Sequence, residues 1–282
     1  MRIRETASTR ARPRAEAASP AVAPPKRPQK AVLSSEADDW SSYLEGLAAD
    51  GVRFDTGFAG LDAKLGGLSP GLMLLIDDDR NRVVSFLKQL TDQFASSTSG
   101  RCLFVAAEMP KSVLRLRTIS RLSGVPLSDL EKGRVKKDSP EWRKVDAAGR
   151  GAQEWLRRVF VYEAEGEVEI PLARELVKKL LDASEDRLCL VVVDTLEKVA
   201  RPAGAAGSVV SQLKSVADSL EVLIIAAASD PTLLASKDTD YAAVFRNVPQ
   251  GLVELEVLRA GGESSTVVRF RYDPDTCGFG EA

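Results

Sequence analysis

From Thr56 onward, short apolar runs alternate along the chain with longer segments whose apolar residues recur at helical spacing. The apolar runs occupy residues 72–76, 101–108, 159–164, 187–194 and 222–229. The helical patterns occupy residues 83–97, 112–124, 140–158, 171–184 and 208–220. Strands that alternate with helices build parallel sheets with helices on both faces, and runs that are apolar at nearly every position are typical of strands buried on both sides. The pattern therefore predicts an α/β fold around a mostly parallel sheet.

The last part of the chain follows a different pattern. Residues 252–259 (LVELEVLR) and 266–273 (TVVRFRYD) alternate apolar and polar side chains around Gly261 and Gly262. Alternation on both sides of a glycine turn predicts a C-terminal β-hairpin. We predict one α/β domain over residues 52–282.

Two N-terminal segments lack this alternation. Residues 1–34 consist mainly of Ala, Pro, Arg and Ser, and they cannot bury enough apolar surface to fold. A disordered basic tail is predicted there, and a solvated linker is favoured over a contact with nucleic acid or an acidic partner. In residues 35–51, Trp40, Tyr43 and Leu47 recur at helical spacing, which predicts a short amphipathic linker helix. This helix packs either on its own domain or on a neighbouring subunit.

Charge and composition narrow the range of functions. The net charge is −2, but residues 1–30 contain eight basic and two acidic residues, so the rest of the chain carries −8. An acidic body lacks the basic face typical of nucleic-acid binding. The chain has no histidine, which excludes imidazole catalysis, and its three scattered cysteines indicate a reducing, cytoplasmic compartment. No apolar run reaches the roughly 18 residues of a membrane-spanning helix.

Several segments, in this order, resemble the ATPase domain of the DnaB-type replicative helicases. They are TGFAGLDAKLGGLSPGLMLLI at residues 56–76, FVAAEMPKSVLRLRTISRLSG at 104–124 and LCLVVVDTLEKV at 188–199. The glutamate-methionine-proline signature in the second segment is the most specific of these features. The resemblance extends over residues 53–282, and it implies a RecA-like P-loop-NTPase fold that ends in a β-hairpin.

The resemblance places the phosphate-binding Walker A loop, G-x-x-x-x-G-K-[ST], between the first strand and the first helix. The eight aligned residues are Asp77, Asp78, Asp79, Arg80, Asn81, Arg82, Val83 and Val84. Arg82 replaces the glycine that lets backbone N–H groups approach phosphate, Val83 replaces the phosphate-binding lysine, and Val84 replaces the hydroxyl that ligates magnesium. The aspartates would also repel a triphosphate. We expect a degenerate loop.

Two acidic residues stand at positions that the family uses for catalysis. The resemblance aligns Glu108 with the glutamate that activates the attacking water, and Asp194 with the Walker B aspartate that holds magnesium through water. Each also follows a strand, where helix capping alone accounts for an acid. We expect no catalytic residue and an unoccupied metal position at Asp194. No cofactor is expected, and ATP with Mg²⁺ is implied only if the family activity is retained.

Further positions of the family pattern are replaced as well. Ser229 and Asp230 stand in place of the glutamine that senses the γ-phosphate. Leu258 and Ala260 align with a lysine and an arginine that reach the neighbouring subunit's nucleotide, and Arg259 lies between them. These losses concern nucleotide contacts, whereas the strand and helix patterns are intact.

The sequence therefore predicts a catalytically inactive DnaB-helicase-like domain, a pseudo-ATPase that acts as a binding or scaffold protein with a link to DNA replication. The first alternative is an ATP-dependent DNA helicase with an unorthodox phosphate loop. The second is a KaiC/RecA-like nucleotide-binding regulator. A protein partner or self-association is expected. Membrane binding is not expected, and DNA binding is expected to be weak or absent unless the basic tail supplies it, because residues 230–251 lack converging cations.

Overall fold

A computed structural model describes residues 52–184, 186–200, 208–259 and 265–282. The predicted tail (residues 1–34), the predicted linker helix (35–51) and the turn at Gly261 and Gly262 lie outside these residues. The description that follows concerns the unit that begins at Gly51.

Eleven strands form two sheets in the described part of the chain. They are β1 (Gly71–Ile76), β2 (Arg101–Ala106), β3 (Val159–Glu163), β4 (Val168–Glu169), β5 (Cys189–Asp194), β6 (Val199–Ala200), β7 (Leu223–Ala228), β8 (Tyr241–Val248), β9 (Leu252–Arg259), β10 (Ser265–Asp273) and β11 (Gly278–Glu281). The main sheet has the order β11-β10-β9-β8-β1-β7-β5-β2-β3, and β4 pairs with β6 in a small second sheet. Strands β8, β1, β7, β5, β2 and β3 run parallel, whereas β9, β10 and β11 extend the sheet in antiparallel fashion.

Seven α-helices connect these strands in the described residues. They are α1 (Ala59–Leu65), α2 (Arg80–Ser97), α3 (Lys111–Ser123), α4 (Leu127–Glu131), α5 (Pro140–Leu156), α6 (Ile170–Asp182) and α7 (Val209–Leu220). Several of their ends carry the expected caps. The side chains of Ser139 and Ser208 accept hydrogen bonds from free amides in the first turns of α5 and α7, and Gly124 ends α3 at φ 69°, which suits glycine. None of these helices combines the length and hydropathy that crossing a bilayer requires.

The main sheet is buried between two apolar clusters. In β1, Met73 and Leu75 face the cluster under α2, and Leu72 and Leu74 face the cluster under α6 and α7. All six residues of β1 are buried, as are all six of β5 and of β7. This two-sided burial confirms the predicted α/β fold with a mostly parallel sheet.

An aromatic cluster fixes the helix that leads away from the candidate site. The Phe86 ring in α2 lies 5.2 Å from Phe58, 5.1 Å from Phe245 and 5.3 Å from Phe279, measured between ring centroids. These partners precede α1 or lie in β8 and β11, so α2 packs on the antiparallel extension as well as on the parallel strands. Buried aromatic pairs of this geometry stabilise the fold beyond the apolar area that they bury. These ring contacts therefore hold α2, and with it the start of the helix, against the sheet.

Three local features differ from the sequence prediction. Helix α2 begins at Arg80, three residues before the apolar pattern that predicts it. Residues 241–248, for which the sequence analysis predicts no strand, form the interior strand β8, where the inward side chains are mostly small or aromatic. Strands β4 and β6 contain only two residues each, too few for a pattern to be visible. The predicted C-terminal hairpin is confirmed by the antiparallel pairing of β9 with β10.

Candidate functional site

The sequence-predicted site residues meet at one edge of the sheet. Asp77 follows β1, Glu108 lies two residues after β2, Asp194 ends β5, and Ser229 follows β7. In sheets with parallel strands, ligands bind in the crevice outside the carboxyl ends of the strands. The fold therefore brings the predicted positions together at the edge where a ligand is expected.

The connection between β1 and α2 is only three residues long. It consists of Asp77, Asp78 and Asp79, and α2 begins immediately afterwards. Asp79 caps the helix, because its Oδ1 accepts a hydrogen bond of 3.1 Å from the Arg82 amide. Asp77 Oδ1 accepts the Asp79 amide at 3.1 Å. Two of the three carboxylates thus bind the backbone amides that a phosphate-binding loop would offer to a ligand.

Arg82 fills the space behind this connection. Its Nε and Nη2 donate to the two carboxylate oxygens of Asp77 at 2.6 and 2.7 Å, and its Nη1 donates to Asn247 Oδ1 at 2.6 Å. The guanidinium carbon lies 5.7 Å from the centre of the Phe245 ring, and both members of the ion pair are buried. The hydrogen bond from Arg82 to Asp77 raises the pKa of Arg82 more than burial lowers it. A buried arginine with three side-chain hydrogen bonds thus occupies the position that the resemblance aligns with the Walker A glycine.

Arg80 lies between Glu108 and Asp194. Its Nη2 forms an ion pair with Glu108 Oε2 and lies 4.0 Å from Asp194 Oδ1. The Arg80 side chain is 42% exposed, whereas that of Asp194 is 2% exposed. A guanidinium at the start of α2 therefore lies against both Glu108 and Asp194.

Asp194 is the most perturbed acid at this edge. Burial raises its pKa to about 6, the Glu108 charge adds to the shift, and Arg80 opposes it. Its Oδ2 is buried and has no hydrogen-bond partner in the described structure. Unpaired buried polar atoms are uncommon, and strongly perturbed pKa values cluster at functional sites.

The space next to Asp194 is very small. A cavity of about 10 Å³ is lined by Asp194, Arg80, Val83 and Ser229, among others. One water molecule requires roughly 10–15 Å³ measured in this way. Val83, at the lysine position, presents an apolar side chain to this space. The cavity is therefore the size of a single water molecule, not of a phosphate group.

The structure adds a site residue that the sequence analysis does not single out. Glu197 accepts the Ser229 amide at 2.6 Å through Oε1 and the Thr195 hydroxyl through Oε2. Burial raises the pKa of Glu197, but these hydrogen bonds outweigh it and lower the pKa overall. The signal in the sequence is an acid three residues after Asp194. Glu197 therefore connects the residues that follow β5 and β7, through the Thr195 hydroxyl and the Ser229 amide.

A second candidate surface lies between α3 and α5. The groove encloses about 340 Å³ and is lined by residues that include Leu114, Leu122 and Leu156, and an adjoining depression of about 600 Å³ is lined in part by Trp142. Leu122, Trp142 and Leu156 are 42%, 38% and 36% exposed. Ala152 is the only residue of α5 that is buried. This helix therefore presents an apolar stripe that the described residues leave uncovered.

Basic side chains line the same groove. Lys111 and Arg115 line its α3 side, and Arg150 and Arg157 line the depression beside α5. Of these four, Arg150 forms a 2.7 Å ion pair with Asp146 on its own helix. An apolar groove with basic residues at its rim has the chemistry to receive an acidic amphipathic segment.

The family model named DnaB-like helicase C terminal domain matches residues 53–229. The chain belongs to this DnaB-like family. Two solved structures support the fold. The first, an "ATPase Domain", superposes with a TM-score of 0.70 at 16% identity over 85% of this chain and 95% of that chain. The second, "The Structure Of A DnaB-Like Replicative Helicase And Its Interactions With Primase", superposes with a TM-score of 0.71 at 15% identity over 87% of this chain and 68% of that chain. A comparison with curated protein sequences finds no match.

The nucleotide and metal that the DnaB-like family implies do not fit the residues present. The three-residue connection leaves no open loop around a phosphate, and Arg82 occupies its interior. A divalent cation about 4 Å from the Arg80 guanidinium would be repelled by about 8 kcal/mol at an effective dielectric constant of 20, before solvent screening. In the described residues, no group of three or more potential metal-ligating side chains is found.

Arg259, which the resemblance places between the two cation positions of the family, forms a hydrogen bond within its own domain. Arg259 ends β9, and its Nη2 donates to the backbone carbonyl of Leu65, the last residue of α1. A cation at the C-terminus of a helix satisfies a free carbonyl and the helix dipole. Arg259 therefore binds its own domain.

Proposed function

We propose that this chain is a non-catalytic member of the DnaB-like helicase family, a pseudo-ATPase that serves as a binding or scaffold protein. The observation that carries the proposal is the filled β1–α2 connection. Arg82 pairs with Asp77 inside it, and Arg80 pairs with Glu108 beside Asp194. Both arginines would have to leave their carboxylates before a nucleotide with its metal entered. The link to DNA replication rests on family membership.

The cost of opening the connection supports the proposal. Separating Arg82 from Asp77 leaves a buried charge without a partner, which costs about 3–5 kcal/mol. A ligand would first have to supply this free energy, and the aligned loop offers no lysine and no metal-ligating hydroxyl in return. Binding of ATP in the micromolar range corresponds to only about 8 kcal/mol in total.

A thermal-shift titration tests the proposal on the full-length protein. Addition of ATP and MgCl₂ is expected to leave the melting temperature unchanged. A ligand at about 100 times its dissociation constant adds about 2.7 kcal/mol of stability, which for a domain of this size is a shift of roughly 5–10 °C. Sodium triphosphate with MgCl₂ controls for unspecific anion effects. A saturable shift with ATP that triphosphate does not reproduce would contradict the proposal.

One observation favours a second candidate, a nucleotide-binding regulator that does not hydrolyse. Glu108 and Asp194 keep the acidic side chains of the family positions, and Asp194 has a buried oxygen without a hydrogen-bond partner in the described structure. The same titration separates the two candidates, because only the regulator is stabilised by ATP. An active helicase would in addition lose its ATPase rate in the Glu108→Gln variant.

The groove between α3 and α5 supports a role in protein association. Residues 35–50 contain five acidic residues and no basic residue, together with the apolar positions Trp40 and Leu44. Their charge and apolar spacing complement the basic rim and apolar floor of the groove. We propose that this segment of a second copy binds there. The protein would then self-associate without nucleotide.

A further inference from the structure

Arg80 differs from the other arginines near the candidate site in what it contacts. Arg82 is bound to Asp77 and Asn247, and Arg117 is bound to Ser85 and Asn81 in the interface of α2 and α3. Of these three arginines, Arg80 is the one that forms ion pairs with the acids after β2 and β5.

One nitrogen of Arg80 lies within 4.0 Å of a carboxylate oxygen from Glu108 and of one from Asp194. The other oxygen of Asp194 is buried and has no partner among the described residues, and Asp194 lines the adjacent cavity. One or two carboxylates, with several waters and usually substrate phosphates, are the ligands that a magnesium ion commonly uses. Here a guanidinium lies between the two carboxylates.

We propose that Arg80 is a built-in cation that takes the place of a divalent metal between Glu108 and Asp194. Its single positive charge offsets part of the negative charge of the two acids without a bound nucleotide or ion. The inference rests on the proposed non-catalytic function and explains how the domain retains these acids without their ligand.

Removal of the guanidinium is then expected to create a divalent-cation site. In Arg80→Ala, the oxygens of Glu108 and Asp194 that now face the guanidinium are left without a counter-charge. Arg80 is exposed and lies in the first turn of α2, so the substitution leaves the core packing in place. Mn²⁺ is a suitable probe because it prefers the same oxygen ligands as Mg²⁺ and is visible by electron paramagnetic resonance.

The experiment compares Mn²⁺ binding to full-length wild type and Arg80→Ala in the absence of nucleotide. The variant is expected to bind Mn²⁺ at least about tenfold more tightly than wild type, because a full positive charge has been removed from the site. Its melting temperature should rise with MgCl₂ relative to KCl of matched ionic strength, while that of wild type should be the same in both salts.

Four variants control the interpretation. Arg80→Lys keeps the charge and should behave as wild type, and Arg80→Gln repeats the test with a polar side chain in case the alanine variant folds poorly. Arg80→Ala combined with Glu108→Gln should lose the gained affinity. Arg134→Ala removes an exposed arginine paired with the single acid Asp129 and should gain nothing.

The outcomes separate this inference from the proposed function. Equal Mn²⁺ affinity in wild type, Arg80→Ala and Arg80→Gln would overturn the role of Arg80, and so would tight binding to wild type. Neither result involves ATP, so the nucleotide titration of wild type would still stand. An ATP-dependent shift in wild type would instead overturn the proposed function.

Discussion

Two regions of this domain differ in the space that they leave for a ligand. At the carboxyl edge of the sheet, where the fold places a small-molecule site, the remaining cavity measures about 10 Å³. Its charged lining consists of Asp77 and Arg80, which form ion pairs within the chain, and Asp194, whose Oδ2 has no hydrogen-bond partner in the described structure. Between α3 and α5, the groove encloses about 340 Å³ and exposes Leu122 and Leu156. The cavity at the carboxyl edge is small, and the larger apolar surface lies between α3 and α5.

The two regions also differ in the interactions that their side chains make. Two arginines, an aspartate cap and a short connection close the edge, and all of them are compatible with an intact core. The exposed apolar stripe of α5 does not stabilise the isolated domain, because apolar groups contribute to folding stability only when they are removed from water. A surface of this kind suits contact with another protein.

The largest expected effect concerns the closed edge. Arg82→Ala should lower the free energy of unfolding by about 3–5 kcal/mol, because Asp77 would remain buried without its cation. Urea denaturation at neutral pH measures this loss. If the edge were held open in solution, the pair would be hydrated, and the loss would fall below about 1 kcal/mol.

A double variant serves as the control. Replacing the pair with uncharged residues of similar size, Asp77→Asn with Arg82→Met, should recover most of the lost stability, since no unpaired charge remains. A double variant as unstable as Arg82→Ala would show that the hydrogen bonds to Asn247 and the backbone, rather than the charge pair, hold the connection closed.

The second prediction concerns the pH dependence at the same edge. Burial raises the pKa of Asp194 from 3.8 to about 6, so the folded state binds a proton that the unfolded state has already released between these values. Asp194 thus costs stability as the pH rises through this window. Asp194→Asn should be more stable than wild type by about 1–3 kcal/mol at pH values near 8, and about equal to it near pH 4.

Thermal denaturation across this pH range measures the difference, and Asp146→Asn provides the control. Asp146 forms an exposed ion pair with Arg150 on α5, so its loss should change stability by no more than about 0.5 kcal/mol at either pH. An Asp194→Asn variant that is less stable than wild type above neutral pH would show that the attraction to Arg80 outweighs burial.

The sequence is sufficient to predict most of the fold because its signals are local. Continuous apolar runs predict β1, β5 and β7, and the alternation around the glycine turn predicts the β9–β10 hairpin. Strand β8 is not predictable in this way, because Ala242 and Ala243 have low strand preference and are ordered by pairing with β9 and with β1, which is distant in the sequence. The start of α2 is missed because the residues of its first turn are charged or polar.

The candidate site is predictable only in part, for a similar reason. The absent lysine, glycine and hydroxyl are read directly from residues 77–84. The ion pairs and hydrogen bonds that close the edge cannot be read from the sequence in this way. Arg82 contacts Asn247, which lies 165 positions away, and Arg80 contacts Glu108, which lies in the segment after β2. The sequence shows which residues of the aligned phosphate loop are replaced, whereas the structure shows which side chains fill the β1–α2 connection.

The third and smallest effect on stability concerns the open groove. Leu122 in the groove and Leu172 on α6 are each 42% exposed, so replacing either with serine should cost less than about 1 kcal/mol of folding free energy. Their effects on association should differ. Leu122→Ser is expected to shift full-length protein toward the monomer in sedimentation equilibrium, and Leu172→Ser is expected to leave the native mass unchanged.

The proposed occupant makes this comparison sharper. If residues 35–50 of a second copy bind the groove, then Trp40→Ser should reduce the native mass as much as Leu122→Ser does, and the double variant should lose no more than either one, because both changes remove the same contact. Additive losses would place Trp40 at a different surface. A wild-type protein that remains monomeric at all concentrations would reject self-association, and the exposed stripe of α5 would then require a different protein partner.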